Sequence, residues 1–212
     1  MLVYVDDIIV MGNDPRLIQQ NLDVLAIRFS IKDLKDSHYF LGIDARRTPS
    51  GLHLNQRKYI LDFLARTNML SAKPVTTPMA VYRKLSLHSG TRLSDPSEYR
   101  AIVESLQYMS FTRLDLSYAV SKLSQFMYAP TTEHWLAVKR LLWYLAGTPN
   151  HGIFLKKGNN STLHVYSDAD WGGDIDNYGS TNGYIVYLES HRLSWSTKKV
   201  QGIAWSSTEA EY

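Results

Sequence analysis

Two groups of acidic residues, one near each end of this 212-residue chain, could do metal chemistry. Asp6 and Asp7 are adjacent and interrupt an apolar stretch, MLVYVDDIIVM. Asp168 follows a run of strand-forming residues, and Glu209 lies at the start of a predicted helix. Carboxylate oxygens are the ligands that hard divalent cations prefer. Two negative charges folded between hydrophobic strands also cost free energy unless a cation balances them.

The residue types alone leave several interpretations of these carboxylates open. The β-branched residues around Asp6 and Asp7 predict a β-hairpin with the two carboxylates at its tip. A divalent metal, an arginine or lysine side chain, or water around an ordinary turn could each balance that charge. Asp168 could be a turn residue, and Glu209 could simply favour the positive end of the helix dipole.

Composition narrows the classes of protein. The chain has no cysteine, which excludes disulfides, thiol catalysis and cysteine-ligated zinc, and its seven histidines are scattered. Residues 151–212 carry 5 basic and 7 acidic side chains, whereas residues 1–150 carry 18 basic and 13 acidic ones. This asymmetry fits a phosphate-binding surface beside a metal-binding one, or ordinary solvated surface. No apolar run could span a membrane and no signal peptide is recognisable, so we expect an intracellular protein without membrane contact. The sequence leaves cytoplasm, nucleus and an organelle open as its compartment.

The elements that must position Asp6 and Asp7 follow directly along the chain. Asp14 and Pro15 predict a helix start, and the apolar spacing that follows predicts packing of this helix on the hairpin sheet. Strands are predicted over residues 38–46 and 52–54, joined by a turn at residues 49–51. Asn55 is the predicted cap of the next helix.

The middle of the chain changes character. Residues 71–95 are punctuated by proline, serine and glycine, which predicts a linker or an extended crossing segment. Three helices are then predicted over residues 96–111, 115–127 and 132–146, with Gly147 as a C-cap.

The last section is rich in β signals. Strands are predicted over residues 163–167, 183–188 and 192–196, with a possible fourth over residues 202–205. Ser206 or Ser207 can cap a short helix from Thr208. The whole pattern predicts an α/β protein.

Several motifs occur in a fixed order along the chain. They are YVDDII (residues 4–9), HYFLGI (38–43), SLQYMSFTRLDLSYAV (105–120), PTTEHWLAVKRLLWYLAGT (130–148), YSDADWGGD (166–174), STNGYIVYL (180–188), LSWSTKK (193–199) and SSTEAEY (206–212). Together they resemble one family, the Pol polyprotein of copia-type LTR retrotransposons, from the end of reverse transcriptase to the start of ribonuclease H. YVDD alone is a weak signal, but its combination with SDADW and SSTEAEY is highly specific.

The resemblance implies an arrangement of domains. Residues 1–70 would be the end of the reverse-transcriptase palm, with a hairpin remnant, and the start of the thumb. Residues 71–95 would be a linker, and residues 96–150 a helical thumb or connection region. Residues 151–212 would be an incomplete ribonuclease H-like mixed sheet.

The resemblance also implies metal ligands. Asp6 and Asp7 match two of the palm aspartates that hold Mg²⁺ in the polymerase site, and Asp168 and Glu209 match two carboxylates of the ribonuclease H site. All four are therefore expected to be catalytic and metal-binding. Asp170 is expected to be at most an accessory ligand.

Nucleic-acid contacts are implied by the same comparison. Tyr4 would lie beside the primer terminus, and His38 and Tyr39 would belong to a hairpin that grips the primer. Phosphate contacts are expected from basic residues of the helices, namely Arg57, Lys58, Lys139 and Arg140. The expected partners are an RNA template, a DNA primer and an RNA–DNA hybrid, with a deoxynucleoside triphosphate as substrate of the full-length parent.

The chain departs from the family in ways that affect its activity. The third palm aspartate lies upstream of YVDD in the family, and the ribonuclease H site needs two later carboxylates. Leu114 also replaces a usual proline, and Glu104 a common glycine. We therefore expect a fragment of a retrotransposon polymerase that is inactive alone. The alternatives are a non-catalytic nucleic-acid-binding remnant or an incomplete gene model of a longer Pol protein.

Overall fold

The fold is described from a computed structural model, in which the described residues are 2–5, 7–30, 39–81, 84–158, 161–200, 202 and 205–211. The chain forms two compact units, Met1–Leu41 and Gly42–Tyr212. Each unit is described by itself.

The first unit begins with the predicted hairpin. Strands β1 (Leu2–Tyr4) and β2 (Asp7–Ile9) pair antiparallel, with Tyr4 opposite Asp7 and a two-residue loop between them. Helix α1 (Pro15–Arg28) starts as predicted, because the Asp14 carboxylate accepts the Arg16 N–H at 2.8 Å. A short strand, β3 (Tyr39–Phe40), ends the unit.

The predicted packing of α1 is wrong in part. None of the α1 residues, all of which are described, is buried. Ile18, Leu22 and Leu25 are half-buried and form one stripe, but Leu17 is exposed and so is Phe29 just after the helix. Apolar spacing therefore predicted the helix correctly and overestimated its burial.

The second unit contains an antiparallel sheet of β4 (Ile43–Thr48), β5 (Gly51–Asn55) and β6 (Gly152–Lys156), which we call the first sheet. The turn at residues 49–51 and the strand after it are confirmed. The single strand predicted over residues 38–46 is interrupted, because Leu41 and Gly42 both take positive φ angles and turn the chain. His38 lies outside the described residues.

Four α-helices and one short 3₁₀-helix build the centre of this unit. They are α2 (Arg57–Arg66), α3 (Ser97–Met109), the 3₁₀-helix (Leu114–Leu116), α4 (Ser117–Ser124) and α5 (Thr132–Gly147). Three details differ from the predictions. Gln56 is the N-cap of α2, although Asn55 Oδ1 accepts the Arg57 N–H. The helix predicted over residues 115–127 is shorter, and Gly147 is helical, with Thr148 as the C-cap.

The hydrophobic core lies between these helices. Ile60, Phe63 and Leu64 of α2 face the core, as their spacing predicted. α3 contributes Leu106 and Met109 among others, with relative exposures of 0%. The buried stripes recur at helical spacing, so one core holds all four α-helices together.

The segment 71–95 has no helix or strand but is packed against this core. Leu85 is 7% exposed and belongs to the core. The His134 ring, stacked on Phe126 at 3.9 Å, accepts the Thr131 N–H at Nδ1 and donates from Nε2 to Ser86 O at 3.0 Å. Burial lowers the pKa of His134, which favours the neutral ring that both hydrogen bonds require. The segment is therefore a packed crossing segment.

A second sheet contains β7 (Leu163–Asp170), β8 (Thr181–Leu188) and β9 (His191–Lys199) in that order. All of its described pairs are antiparallel, which corrects the expectation of a mixed sheet. Helix α6 (Ser207–Glu211) lies against β7. Of the possible fourth strand, Gly202 and Trp205 are bends, and residues 203 and 204 lie outside the described residues. No helix in the described ranges is long and apolar enough to cross a membrane.

The core predicts a large difference between two leucine substitutions. Leu106→Ala removes a fully buried side chain, so we expect a loss of about 2–5 kcal/mol in the free energy of unfolding. Leu136→Ala, at a side chain that is 45% exposed on α5, is the matched control and should cost about 1 kcal/mol or less. Urea unfolding followed by circular dichroism measures both, and equal losses would contradict this core.

Candidate functional site

The tip of the β1–β2 hairpin has an unusual backbone. Val5, the first loop residue, takes a φ angle of +47°. Two-residue hairpin loops require positive φ angles, but a β-branched side chain tolerates them poorly. Such strain costs about 1–3 kcal/mol and often occurs at functional sites. Asp6 lies outside the described residues, and the description of Tyr4 and Asp7 is confined to their backbone.

The acidic residues of the second sheet lie on β7 and α6. β7 continues past its predicted end through Asp168 to Asp170, so these two exposed residues share one face of the strand. The Glu209 carboxylate accepts the Trp205 N–H at 2.6 Å, and the Glu209 N–H donates to Ser206 Oγ at 3.1 Å. Ser206 therefore caps α6, as predicted.

The structure brings the α6 helix next to the strand that carries Asp168. Among the described residues, no group of three or more Asp, Glu or His side chains is placed to hold a metal ion.

Two predicted phosphate contacts lie at the start of α2. Arg57 and Lys58 occupy its first turn and are exposed, and that turn contains no acidic residue. Cations at this end oppose the helix dipole and do not stabilise the helix. Together with the positive end of the helix dipole, these two cations make the start of α2 attractive to anions. Tyr39, on β3 of the first unit, is 44% exposed.

The other two residues predicted to contact phosphate are less exposed than Arg57 and Lys58. Lys139 and Arg140 were expected on the outward face of α5, but both are half-buried. Lys139 Nζ lies 5.8 Å from the centroid of the Trp135 ring, and Arg140 donates from Nη2 to Thr77 Oγ1 at 2.7 Å. Arg140 thus helps to hold the crossing segment.

A buried arginine network was missed by the sequence analysis. Arg113 is 1% exposed, donates from Nε and Nη2 to both oxygens of Asp115, and donates from Nη1 to Thr148 O. The Tyr144 hydroxyl donates to the same carboxylate at 2.8 Å. Burial alone would raise the pKa of Asp115, but the Arg113 hydrogen bonds outweigh it and lower that pKa. The only sequence signal was a charged pair inside the apolar stretch FTRLDL.

A second buried charged group, which the sequence analysis also missed, joins the second sheet to the helices. Asp174 is 3% exposed, and its Oδ2 lies 2.8 Å from Lys122 Nζ of α4 and 2.9 Å from Lys199 Nζ of β9. Burial would raise the pKa of this carboxyl, but the two lysine hydrogen bonds outweigh it and hold the pKa far below its ordinary range. In the same loop, Asp176 accepts hydrogen bonds from Ser86 Oγ and the Leu87 N–H.

Comparison with known proteins agrees with the hairpin and its motif. The family model described as "Reverse transcriptase (RNA-dependent DNA polymerase)" matches residues 1–81. The chain is 69% identical over 212 residues to the retrovirus-related Pol polyprotein from transposon RE1 of Arabidopsis thaliana, over 100% of this chain and 14% of that protein.

Two shorter relatives match almost the whole chain. An uncharacterized mitochondrial protein of Arabidopsis thaliana is 40% identical over 212 residues, which are 100% of this chain and 88% of that protein. A transposon Ty5-1 protein of Saccharomyces cerevisiae is 33% identical over 99% of this chain and 69% of that protein. No solved structure matches.

The hairpin and the family match define a protein of the reverse-transcriptase class. More specifically, the chain belongs to the family of copia-type retrotransposon Pol polyproteins and corresponds to a fragment of one, with part of its reverse-transcriptase domain. It spans about one seventh of the length of the Pol polyprotein from transposon RE1.

The Asp174 ion pairs predict an acid-sensitive contribution to stability. A carboxyl with a lowered folded pKa stabilises the protein above its unfolded pKa, near 4, and this contribution disappears as the pH falls further. We expect Asp174→Asn to lose about 3 kcal/mol at pH 7, because two lysines remain without their carboxylate. The difference from wild type should shrink below about pH 4 in thermal melts between pH 2 and 7.

Asp62→Asn, at an exposed position on α2, is the control for removal of one negative charge and should melt like wild type at every pH. A constant difference between Asp174→Asn and wild type across this pH range would contradict the ion-pair explanation.

Proposed function

We propose that this chain is the part of a copia-type Pol protein that joins its polymerase and ribonuclease H activities. Residues 1–70 would end the palm and start the thumb, 71–95 would link, 96–150 would form the thumb or connection, and 151–212 would begin the ribonuclease H-like domain. The observation that carries the proposal is the YVDD hairpin, which has a positive φ angle at Val5 just before the two aspartates of the motif and lies within the region that the reverse-transcriptase family model matches.

The residues at the hairpin tip fit a magnesium site in their chemistry. Asp6 and Asp7 are adjacent in the sequence and would supply two carboxylates, and hard oxygen ligands of this kind suit Mg²⁺. When bound, the metal would supply activation of the primer 3′-hydroxyl and stabilisation of the pyrophosphate leaving group. The turn would keep both carboxylates at the tip, and Tyr4, which pairs with Asp7, would support the primer end.

The nucleic-acid contacts follow from exposure and charge. Arg57 and Lys58 would bind phosphates of the RNA template or DNA primer, because they are exposed at the anion-attracting end of α2. His38 and Tyr39 would grip the primer. Lys139 and Arg140 would make weaker contributions to phosphate binding, since both are half-buried.

The ribonuclease H assignment is supported by the order of elements. Three antiparallel strands are followed by a helix that lies against the first of them, which puts the Asp168 strand next to the Glu209 helix. Asp168 and Glu209 would then be two of the metal-binding carboxylates that act on an RNA–DNA hybrid. Glu209 would first have to release the Trp205 N–H.

A non-catalytic role is the second candidate. Because the family completes both metal sites with carboxylates from other parts of the Pol protein, we expect this chain alone to bind a primer–template without extending it. The exposed Arg57 and Lys58 favour such binding. Primer extension by the isolated chain that requires Mg²⁺ and is lost in Asp6→Asn would contradict this expectation.

The catalytic assignment of Asp6 and Asp7 can be tested in a chimera. The chain would replace the corresponding segment of the transposon RE1 Pol polyprotein, to which it is 69% identical. Because a metal-binding carboxylate acts as part of a unit, we expect Asp7→Asn to lower primer extension by about 10³-fold or more. Asp14→Asn is the matched control, since asparagine also caps helices and should leave extension unchanged. Normal extension by Asp7→Asn would refute the assignment.

A further inference from the structure

A second, unassigned group of basic residues lines a cleft of about 490 Å³ in the larger unit. Its polar side chains include His53 of β5, Asn150 and His151 just before β6, and Arg192 of β9. We call these four residues the basic cleft. None of them belongs to the predicted catalytic or phosphate-binding residues.

The sheets bring these residues together in a defined way. Gly152 is the Cα partner of Asn55, and a Cβ atom at Gly152 would collide with the Leu54 carbonyl oxygen. The start of β6 can therefore lie close against β5, and His151, just before β6, lines the same cleft as His53. β6 in turn contacts β9, and this contact brings Arg192 to the same cleft.

The charge of the basic cleft is available to a ligand. Asp115 also lines the cleft, but its carboxylate already accepts two charge-assisted hydrogen bonds from Arg113 and one from Tyr144. Arg192 and His151 are exposed, and within the described part of the chain neither side chain has a hydrogen-bond or ion-pair partner. The cleft therefore presents cationic and hydrogen-bonding groups whose local negative charge is already balanced.

The rows of side chains around the cleft identify the class of ligand. On the first sheet, Arg46, His53 and Phe154 are consecutive cross-strand partners on one face, and Arg46 and Phe154 are exposed. Basic and aromatic groups in one row suit a ligand that has both phosphates and flat rings.

The second sheet repeats the arrangement. His164, Tyr187 and Arg192 are cross-strand partners on one face, and Tyr166 packs edge-on against Tyr187 with ring centroids 5.9 Å apart. Tyr166 is 64% exposed. An acidic peptide would use the cations but would leave the aromatic rings without a stacking partner.

We propose that the basic cleft binds the sugar–phosphate backbone of a nucleic-acid strand that runs from the first sheet to the second. The Arg192 guanidinium contacts one phosphate with two parallel hydrogen bonds, and His151, Asn150 and His53 contact the same or the next phosphate. The inference rests on the proposed function, because it adds a phosphate site to a nucleic-acid-binding chain.

The test is fluorescence anisotropy with the full chain and a labelled RNA–DNA hybrid of sixteen base pairs, in salt from 50 to 200 mM. We expect Arg192→Gln to weaken binding about five- to tenfold at the lowest salt and to reduce the slope of log K against log salt by about 1. His151→Ala should weaken binding by about twofold or more, and Arg192→Lys should keep part of the affinity.

Arg47→Gln is the matched control, because Arg47 is exposed on β4 but lies on the opposite face from Arg46 and His53. It should bind like wild type, and thermal melts should show that all variants are folded. If wild type binds and Arg192→Gln binds equally well with the same salt slope, the basic cleft is refuted while the proposed function stands.

Two further outcomes would overturn the proposal. No binding by wild type at 50 mM salt would refute the nucleic-acid contact of the proposed function, and the basic cleft with it. Competition by polyglutamate at the same charge concentration as the unlabelled hybrid would show a general polyanion site, and would overturn the choice of nucleic acid as ligand.

Discussion

The larger unit depends on the buried carboxylate of Asp174. Its two lysine partners belong to different layers, Lys122 to helix α4 and Lys199 to strand β9. A carboxylate that is 3% exposed is tolerated only with such partners, so sheet and helices must keep their relative position for the charge to be balanced. Asp176 adds hydrogen bonds from the same loop to the crossing segment. The loop between β7 and β8 thereby holds three parts of the fold together.

These contacts join parts of the chain that were proposed as separate domains. The family resemblance predicted residues 71–95 as a linker between a polymerase part and a helical part, with a ribonuclease H-like part as a third piece. In the structure, the crossing segment is fixed by His134 and Arg140, and the second sheet by Asp174 and by a hydrogen bond from Trp195 Nε1 to Ser110 O. The crossing segment and the second sheet therefore belong to the same compact unit as the helices.

Sequence reasoning succeeded where the determinants are local. Helix α5, the Asp14 cap and the YVDD hairpin depend on residues within a few positions of each other, and all three are confirmed. β6 was not predicted, because its strand character depends on pairing with β5 about a hundred residues earlier. Arg113 and Asp174 were missed for the same reason, since their burial arises from distant segments. The candidate metal ligands remain predictions that rest on the family resemblance.

The two acidic ends and the basic cleft impose different demands on the protein. A metal site needs several carboxylates at one point, and the described residues do not assemble such a group. A phosphate-binding surface needs only cations spaced along a rigid support, because each backbone contact contributes separately to affinity. The antiparallel sheets and the helical core of this chain already supply that support. The proposed phosphate contacts therefore require less of this chain than the proposed metal sites do.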